Sequence, residues 1–237
     1  MVERYAWDVE VAGSNPVFPT ILKFTPTFWS LNTKIVGFKE FNIFLFLYRL
    51  YYNKEVRKGE KLMDEIIDIL DEITGQKTGK TISKNEAHRT GQWHGSIHVL
   101  IVDNKKEKTL LQKRCASKKL YPNTWDIAVG GHISAGEDAL LSAKRELEEE
   151  LGLNSDNYEI KYLETIKEKL NNNGVISNEF VSIFIVYSDI NIADIKLQVE
   201  EVSEAKWCTK EELNEFIKNE QILPHIREYE ILNEILK

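Results

Sequence analysis

The sequence has few cysteines, no long apolar run and no excess of positive charge, and each shortage excludes a class of protein. Two cysteines in 237 residues cannot build a disulfide framework, so we expect a reducing, cytoplasmic compartment. No stretch of about 18 apolar residues is present, which argues against a membrane-spanning helix. The net charge of -7 argues against a general binder of nucleic acid or anionic membranes.

The composition is that of a globular protein with two unequal parts. Hydrophobic residues make up 42% of the chain, which is enough to build a core. Residues 1–62 hold 13 of the 24 aromatic residues and carry nine Lys/Arg against six Asp/Glu, whereas the remainder is acidic. This shift predicts an atypical N-terminal extension over residues 1–62 and a main domain over residues 63–237.

Three interpretations of the extension stay open. It is an accessory segment that packs on the main domain, an arm that binds a partner or a membrane, or a translated upstream sequence foreign to the natural protein. The peptide Gly-Ser-Asn-Pro at residues 13–16 favours the third, because its codons can match the T-arm of a transfer RNA gene. Met63 would then be the natural start, and the upstream DNA tests this.

Capping residues and turns predict the elements of the main domain. Ser83 caps a short helix, Gly152 ends a helix over 137–151, Thr209 with Glu212 caps a helix over 210–218, and Pro224 opens the last helix. Strand-like runs cover residues 65–70, 96–103, 109–114, 125–129, 160–168, 179–187 and 205–208. This order of strands and helices predicts an α/β sandwich with a mixed central sheet.

A glycine-rich loop followed by an amphipathic helix carries the chemistry. The loop begins at Gly130-Gly131-His132, and the helix places Leu140, Ala143, Leu147 and Leu151 on one apolar stripe.

Three acidic residues share another face of the same helix. Glu146, Glu149 and Glu150 are spaced i, i+3 and i+4, so their charges repel one another unless a divalent cation lies between them. Arg145 can reach Glu149 at i+4 and fix its rotamer.

This segment resembles the Nudix box, and the resemblance extends over about residues 63–220. The matching positions are Gly131, Glu137, Arg145, Glu146, Leu147, Glu149, Glu150, Gly152 and Leu153. The resemblance implies an α/β/α sandwich and hydrolysis of a small-molecule diphosphate linked to another group. It also implies Mg²⁺ or Mn²⁺ held by Glu146, Glu149 and Glu150, with Glu149, Glu150 and Arg145 as the catalytic residues.

A wider stretch is similar to the Nudix branch related to isopentenyl-diphosphate isomerase. The similar positions are Glu86-Ala87-His88-Arg89, His94, Leu111-Gln112-Lys113-Arg114, Ser117-Lys118-Lys119, Pro122, Trp125-Asp126 and Gly130-Gly131-His132. Gly130 stands where the isomerase has a catalytic cysteine, and glycine cannot exchange a proton. An isomerase therefore remains an alternative, and a non-catalytic metabolite sensor is another.

Basic residues and glycines before the helix are candidates for binding substrate. We expect Arg114 and Lys118 to bind phosphate, and Gly130, Gly131 and His132 to line the same site. By the resemblance, His88, His94 and His132 either bind a second metal or contact substrate, or they make structural hydrogen bonds.

Several further assignments are structural or open. His98 lies in an apolar strand and is predicted to be a core residue, as are Cys115, Cys208, Trp93 and Trp125. The general base is open between a glutamate of the helix and Glu200 or Glu201. The identity of the substrate and the presence of a homo-oligomer cannot be derived from the sequence.

Overall fold

The computed structural model describes residues 64–237, so the predicted extension over 1–62 and the start at Met63 lie outside the described residues. The strands are β1 Ile66–Leu70, β2 Lys77–Ser83, β3 His94–Val102, β4 Lys108–Arg114, β5 Trp125–Ile127, β6 Val129–His132, β7 Lys161–Asn172, β8 Val175–Tyr187 and β9 Val202–Thr209. The α-helices are α1 Lys84–Thr90, α2 Ala139–Leu151, α3 Lys210–Lys218 and α4 Ile226–Ile235. No helix within residues 64–237 is long and apolar enough to cross a membrane.

A seven-stranded mixed sheet forms the centre of the fold. Its path runs β5-β4-β3-β8-β7, with β6 paired to β3 and β9 paired to β4. The pair β3–β8 is parallel, and it aligns His94 with Glu179 and His98 with Ile183. The other pairs in this sheet are antiparallel. The hairpin of β1 and β2 forms a separate small sheet.

Helices cover both faces of the central sheet. Alternate residues of β3 belong to two separate cores, because side chains on a strand point to opposite faces. Leu100 packs with Leu213 of α3 and Leu232 of α4, whereas Ile101 packs in the core that holds Leu147 of α2. This arrangement confirms the predicted α/β sandwich with a mixed sheet.

Predicted caps explain where three helices begin or end. Ser83 accepts a hydrogen bond from the amide of Glu86 at the start of α1. Thr209 and Glu212 form the reciprocal capping box of α3. Gly152 ends α2 in the left-handed conformation with φ of 66°, where a side chain would be strained.

Four sequence-based expectations about the elements were wrong in detail. Gly130 and Gly131 belong to strand β6 rather than to a loop, because their backbone pairs with β3. Leu140 is 44% exposed, so it is not part of the buried stripe of α2. Helix α2 begins two residues later than expected, because Asp138 caps it. Strand β2 was missed, since its polar sequence has no buried face to give a period-2 pattern.

Candidate active site

Helix α2 places Arg145 among acidic side chains. Its Nη1 donates to Glu146 Oε1 at 2.6 Å and lies 3.5 Å from Glu149 Oε2. Its Nη2 donates to the backbone oxygen of His132 at 3.0 Å, and its Nε lies 3.3 Å from Glu137 Oε2. Burial opposes the charge of Arg145, but Glu146 and Glu137 raise its pKa well above the usual value. Arg145 therefore remains positively charged. Its closest carboxylate is that of Glu146, whereas Glu149, the partner expected from the i+4 spacing, is farther away.

Glu146 occupies the space that a side chain at Gly131 would fill. A Cβ at Gly131 would lie 2.3 Å from Glu146 Cδ and 2.5 Å from its Oε1. Only glycine therefore lets this carboxylate lie against β6. A Cβ at Gly130 would instead make an ordinary contact of 3.5 Å with His98 Cδ2. The two glycines that we predicted as substrate-binding residues thus differ in their packing.

Glu150 lies on the buried side of α2, not on a shared solvated face. It is 4% exposed, and its Oε2 accepts from Gln112 Nε2 at 3.0 Å and from the Gly130 amide at 3.3 Å. Burial, and then the nearby charge of Glu146, raise the pKa of Glu150 to about 8. Burial also raises the pKa of Glu146 to about 7, with the Arg145 charge opposing and the Glu149 charge adding. Both carboxyl groups therefore resist ionisation in the absence of a cation.

Two of the three predicted metal-binding carboxylates, those of Glu146 and Glu150, are desolvated, whereas the Glu149 side chain is 27% exposed. Glu146, Glu149 and Glu150 offer oxygen atoms, which are the ligands that Mg²⁺ and Mn²⁺ prefer. A bound cation would favour the ionised carboxylates and offset the cost that burial imposes on them. These oxygen donors suit the cofactor that the sequence implied, but the three carboxylates are not among the groups within residues 64–237 whose ligand atoms lie within 4.8 Å of one another.

The raised pKa values predict that the metal-free protein loses stability as pH rises. The usual pKa is 4.5, whereas Glu146 titrates at about 7 and Glu150 at about 8 in the folded state. Between these values the folded state holds more protons than the unfolded state, so the free energy of unfolding falls with increasing pH. We expect a lower melting temperature near pH 8 than near pH 6 in EDTA, and a larger gain from Mg²⁺ near pH 8.

The Glu150→Gln variant is the control for this pH dependence. It removes one of the two titrations and keeps a neutral side chain of similar size. Its melting temperature should vary less with pH than that of the wild type. Equal pH dependence in the two proteins would show that the Glu150 carboxyl does not titrate in this range.

The predicted phosphate-binding residues already have acidic partners. Lys118 forms an ion pair with Glu201, and burial followed by the Arg114 charge lowers its pKa. Arg114 Nη1 donates to Asp126 Oδ2 at 3.0 Å, and its Nε and Nη2 donate to the Leu120 oxygen. Arg114 is therefore partly a structural residue, whereas Lys118 depends on one partner that an anion can replace.

Three histidines, from α1, the start of β3 and the end of β6, meet one glutamate of β8. The Nε2 atoms of His88 and His132 are 3.1 Å apart, and Glu179 Oε1 lies 3.6 Å from His94 Nε2 and 3.8 Å from His132 Nε2. One ligand atom from each of the four residues lies within 4.8 Å of the others. His94 Nε2 is buried without a hydrogen-bond partner. This set, which we call the His88 cluster, fits a transition metal ion.

Glu179 is the member of the His88 cluster that sequence reasoning missed. It lies 85 residues after His94, but the parallel register of β3 and β8 places the two side by side. A carboxylate in a strand has no local pattern that indicates such a partner. Burial raises the pKa of Glu179, but the neighbouring imidazoles of His94 and His132 outweigh it and hold the pKa well below its usual range.

The other predicted residues have mainly structural surroundings. Cys115 and Cys208 are both buried, and Cys115 Sγ donates to the Glu200 backbone oxygen at 2.7 Å. Trp93 is buried against Phe180, as expected for a core residue. The segment just before Glu200 contacts the C-terminal end of α2, since the Gln198 amide donates to the backbone oxygen of Glu150 at 3.0 Å.

A cavity of about 410 Å³ lies between the β1–β2 hairpin and the start of α2. It is lined by Asp68, Lys77, Gly95, Ile133 and Phe180, among other residues. None of the predicted catalytic, metal-binding or phosphate-binding residues lines it.

Comparisons with known proteins agree with this fold. A family model described as the NUDIX domain matches residues 92–229. Nudix hydrolase 3 of Arabidopsis thaliana is 40% identical over 164 residues, which cover 67% of this chain and only 21% of that protein. An uncharacterized Nudix hydrolase of Listeria monocytogenes is 34% identical over 67% of this chain and 88% of its own length.

Two further similarities bear on the branch and the fold. An isopentenyl-diphosphate Delta-isomerase of Cereibacter sphaeroides is 30% identical over 62% of this chain and 82% of its own length. The crystal structure of DR0079 from Deinococcus radiodurans matches 73% of this chain and all of its own, with a TM-score of 0.58 and 20% identity. That likeness shows a shared fold. The family model and the Listeria relative together show that this chain belongs to the Nudix hydrolase family.

Proposed function

We propose that this protein is a divalent-metal-dependent pyrophosphohydrolase that acts on a nucleoside diphosphate-X or another small organic diphosphate. The observation that carries the proposal is the set of desolvated carboxylates on α2, with Glu146 pressed against Gly131 and Glu150 against Gly130. The raised pKa values of Glu146 and Glu150 indicate that a bound cation would stabilise their ionised forms. The Nudix hydrolase names of the relatives support the same reaction class.

The chain's own residues bind and orient the reacting groups. Mg²⁺ or Mn²⁺, when bound by Glu146, Glu149 and Glu150, supplies charge neutralisation for the diphosphate and a more acidic water. Arg145 holds the Glu146 carboxylate in one orientation. Lys118, whose charge interacts with that of Glu150, would donate a hydrogen bond to a phosphate oxygen in place of Glu201.

The general base is proposed from the same neighbourhood. Glu200 and Glu201 directly precede β9, on a segment that contacts the C-terminal end of α2. Glu201 pairs with Lys118. When phosphate takes Lys118, the Glu201 carboxylate is released and is free to accept a proton from water. We therefore favour Glu201 over Glu200, because the Glu201 carboxylate contacts the proposed phosphate ligand Lys118.

An isopentenyl-diphosphate isomerase is the second candidate function. The His88 cluster and the 30% identical relative favour it. Three members of that cluster are the histidines for which the resemblance to that enzyme implied a second metal or a substrate contact. Against it, Gly130 has no side chain to carry a proton at the position of the isomerase cysteine. A metabolite sensor without turnover is the third outcome.

Purified protein with Mg²⁺ and a panel of nucleoside and isoprenoid diphosphates separates these functions. Hydrolysis adds water across the P–O–P bond, so we expect two phosphate-containing products from at least one substrate. Migration of a double bond without loss of phosphate would establish the isomerase instead. Binding without any turnover would establish the sensor.

Replacing Lys118 by alanine should raise KM with a smaller effect on kcat. A charge-assisted hydrogen bond contributes about 1.5–3 kcal/mol, so the expected increase in KM is about 10- to 100-fold. Lys119→Ala is the matched control, because Lys119 Nζ contacts Asn85 Oδ1 at 3.1 Å instead of the acidic site. Equal kinetic changes in the two variants would reject Lys118 as a phosphate ligand.

A further inference from the structure

A second cluster of titratable side chains lies beneath the start of α4, apart from the residues used above. His98 comes from β3, Glu168 from β7, and His225 directly precedes α4. One ligand atom from each lies within 4.8 Å of the others, and the two imidazole centroids are 4.4 Å apart. Both histidines are buried, and the Glu168 side chain is only 12% exposed. These residues form what we call the His225 cluster.

Each histidine of the His225 cluster is held by a buried carboxylate. His98 Nδ1 lies 2.6 Å from Glu228 Oε1, and His225 Nε2 lies 3.2 Å from Asp126 Oδ1. The other oxygen of Asp126 accepts from Arg114. Histidines that bind metal ions almost always have their second ring nitrogen bonded in this way, because the carboxylate fixes the ring and raises its basicity.

Three carboxylates surround the histidines of the His225 cluster. Asp126, Glu168 and Glu228 face Arg114 and the imidazoles of His98 and His225. Burial raises the pKa of Asp126, but the His225 charge outweighs this and holds the value at about 2. Glu228 is completely buried, and its Oε2 has no hydrogen-bond partner. An uncompensated buried carboxylate oxygen is costly, and a further cation would offset that cost.

We propose that His98, His225 and Glu168 form a transition-metal site for an ion such as Zn²⁺. Two imidazole nitrogens and one carboxylate oxygen suit Zn²⁺, with a fourth position left for water. The set is poorly suited to Mg²⁺, which prefers oxygen ligands alone. The hydrogen bond of 2.9 Å between His225 Nδ1 and Glu168 Oε1 would be replaced by the ion, so binding releases one proton to the solvent.

The proposed site is adjacent to the candidate active site. His98 pairs with Gly130 across β3 and β6, and the Gly130 amide donates to Glu150. Strand β6, which contains Gly130, therefore lies between the His225 cluster and the Glu150 carboxylate of α2. The site is distinct from the His88 cluster, which shares no residue with it.

Zn²⁺ binding by the full chain in excess Mg²⁺ tests this proposal. The background is the variant His88→Gln/Glu179→Gln, which removes the other histidine-containing cluster. Equilibrium dialysis should still find one Zn²⁺ per chain in this background. Co²⁺ should give the visible absorption of a four-coordinate site, and Zn²⁺ uptake should release about one proton per ion.

Adding His225→Gln or Glu168→Gln to that background should each weaken Zn²⁺ binding by about 10²-fold or more. Glu164→Gln is the matched control on the same strand, because Glu164 pairs with Arg227 instead. Circular dichroism checks that each variant is folded. If His225→Gln is unfolded, the Zn²⁺ affinity of Glu168→Gln tests the proposal. The proposal is overturned if the background variant binds no Zn²⁺, or if Glu168→Gln binds it as tightly as Glu164→Gln does.

Discussion

Replacing Glu149 by glutamine is expected to lower kcat/KM by about 10²–10³-fold while leaving the fold intact. The change removes one negative charge from the proposed cation site, and single groups that stabilise transition-state charge have effects of this size. The side chain of Glu149 is 27% exposed, so its neutralisation should change the melting temperature little. Steady-state kinetics with saturating Mg²⁺ and a thermal melt measure the two effects.

Glu148→Gln is the matched control for this prediction. Glu148 is the preceding residue on α2, but its carboxylate accepts from the amide and hydroxyl of Ser155. A glutamine keeps an oxygen acceptor there, so we expect activity within a few-fold of the wild type. Normal activity in Glu149→Gln would reject the assignment of Glu149 to the metal site.

Replacing Gly131 by alanine should abolish most activity with little loss of stability. The new Cβ would lie 2.3 Å from Glu146 Cδ, so the carboxylate has to move away from β6. A displacement of about 1 Å at a catalytic group can lower the rate by about 10²-fold. The stability cost is small, because the end of a flexible side chain moves rather than the backbone.

Gly130→Ala is the comparison that makes the Gly131 result specific. Its Cβ would contact His98 Cδ2 at an ordinary 3.5 Å, and the two glycines are neighbours in the same strand. We expect a smaller loss of kcat/KM for Gly130→Ala than for Gly131→Ala, with both proteins folded by circular dichroism. Equal losses of kcat/KM in the two variants would show that position 131 does not require glycine in order to make room for Glu146.

The sequence predicted those features of the fold that local chemistry determines. Ser83, Thr209 with Glu212, and Gly152 mark helix ends because a few adjacent backbone groups need partners. The glycine pair at 130–131 was misread as a loop. Its strand conformation comes from pairing with β3, more than 30 residues earlier, and no local signal indicates that partner.

The candidate site was predictable only where its residues are close in sequence. The spacing of Arg145, Glu146, Glu149 and Glu150 on one helix was enough to indicate a cation site. The same spacing did not show that Glu150 is turned inward to Gln112, because that depends on β4. Glu179, Glu168 and His225 were missed for the same reason, since their partners come from distant strands.

Titration of Mg²⁺ into the wild-type protein and Glu149→Gln by isothermal calorimetry tests the central claim most directly. The account predicts that the wild type binds Mg²⁺ with proton release near pH 7, because Glu146 and Glu150 have pKa values of about 7 and 8. It predicts that Glu149→Gln binds at least ~10-fold more weakly. Undetectable Mg²⁺ binding by the wild type, or equal binding by the two proteins, would contradict it.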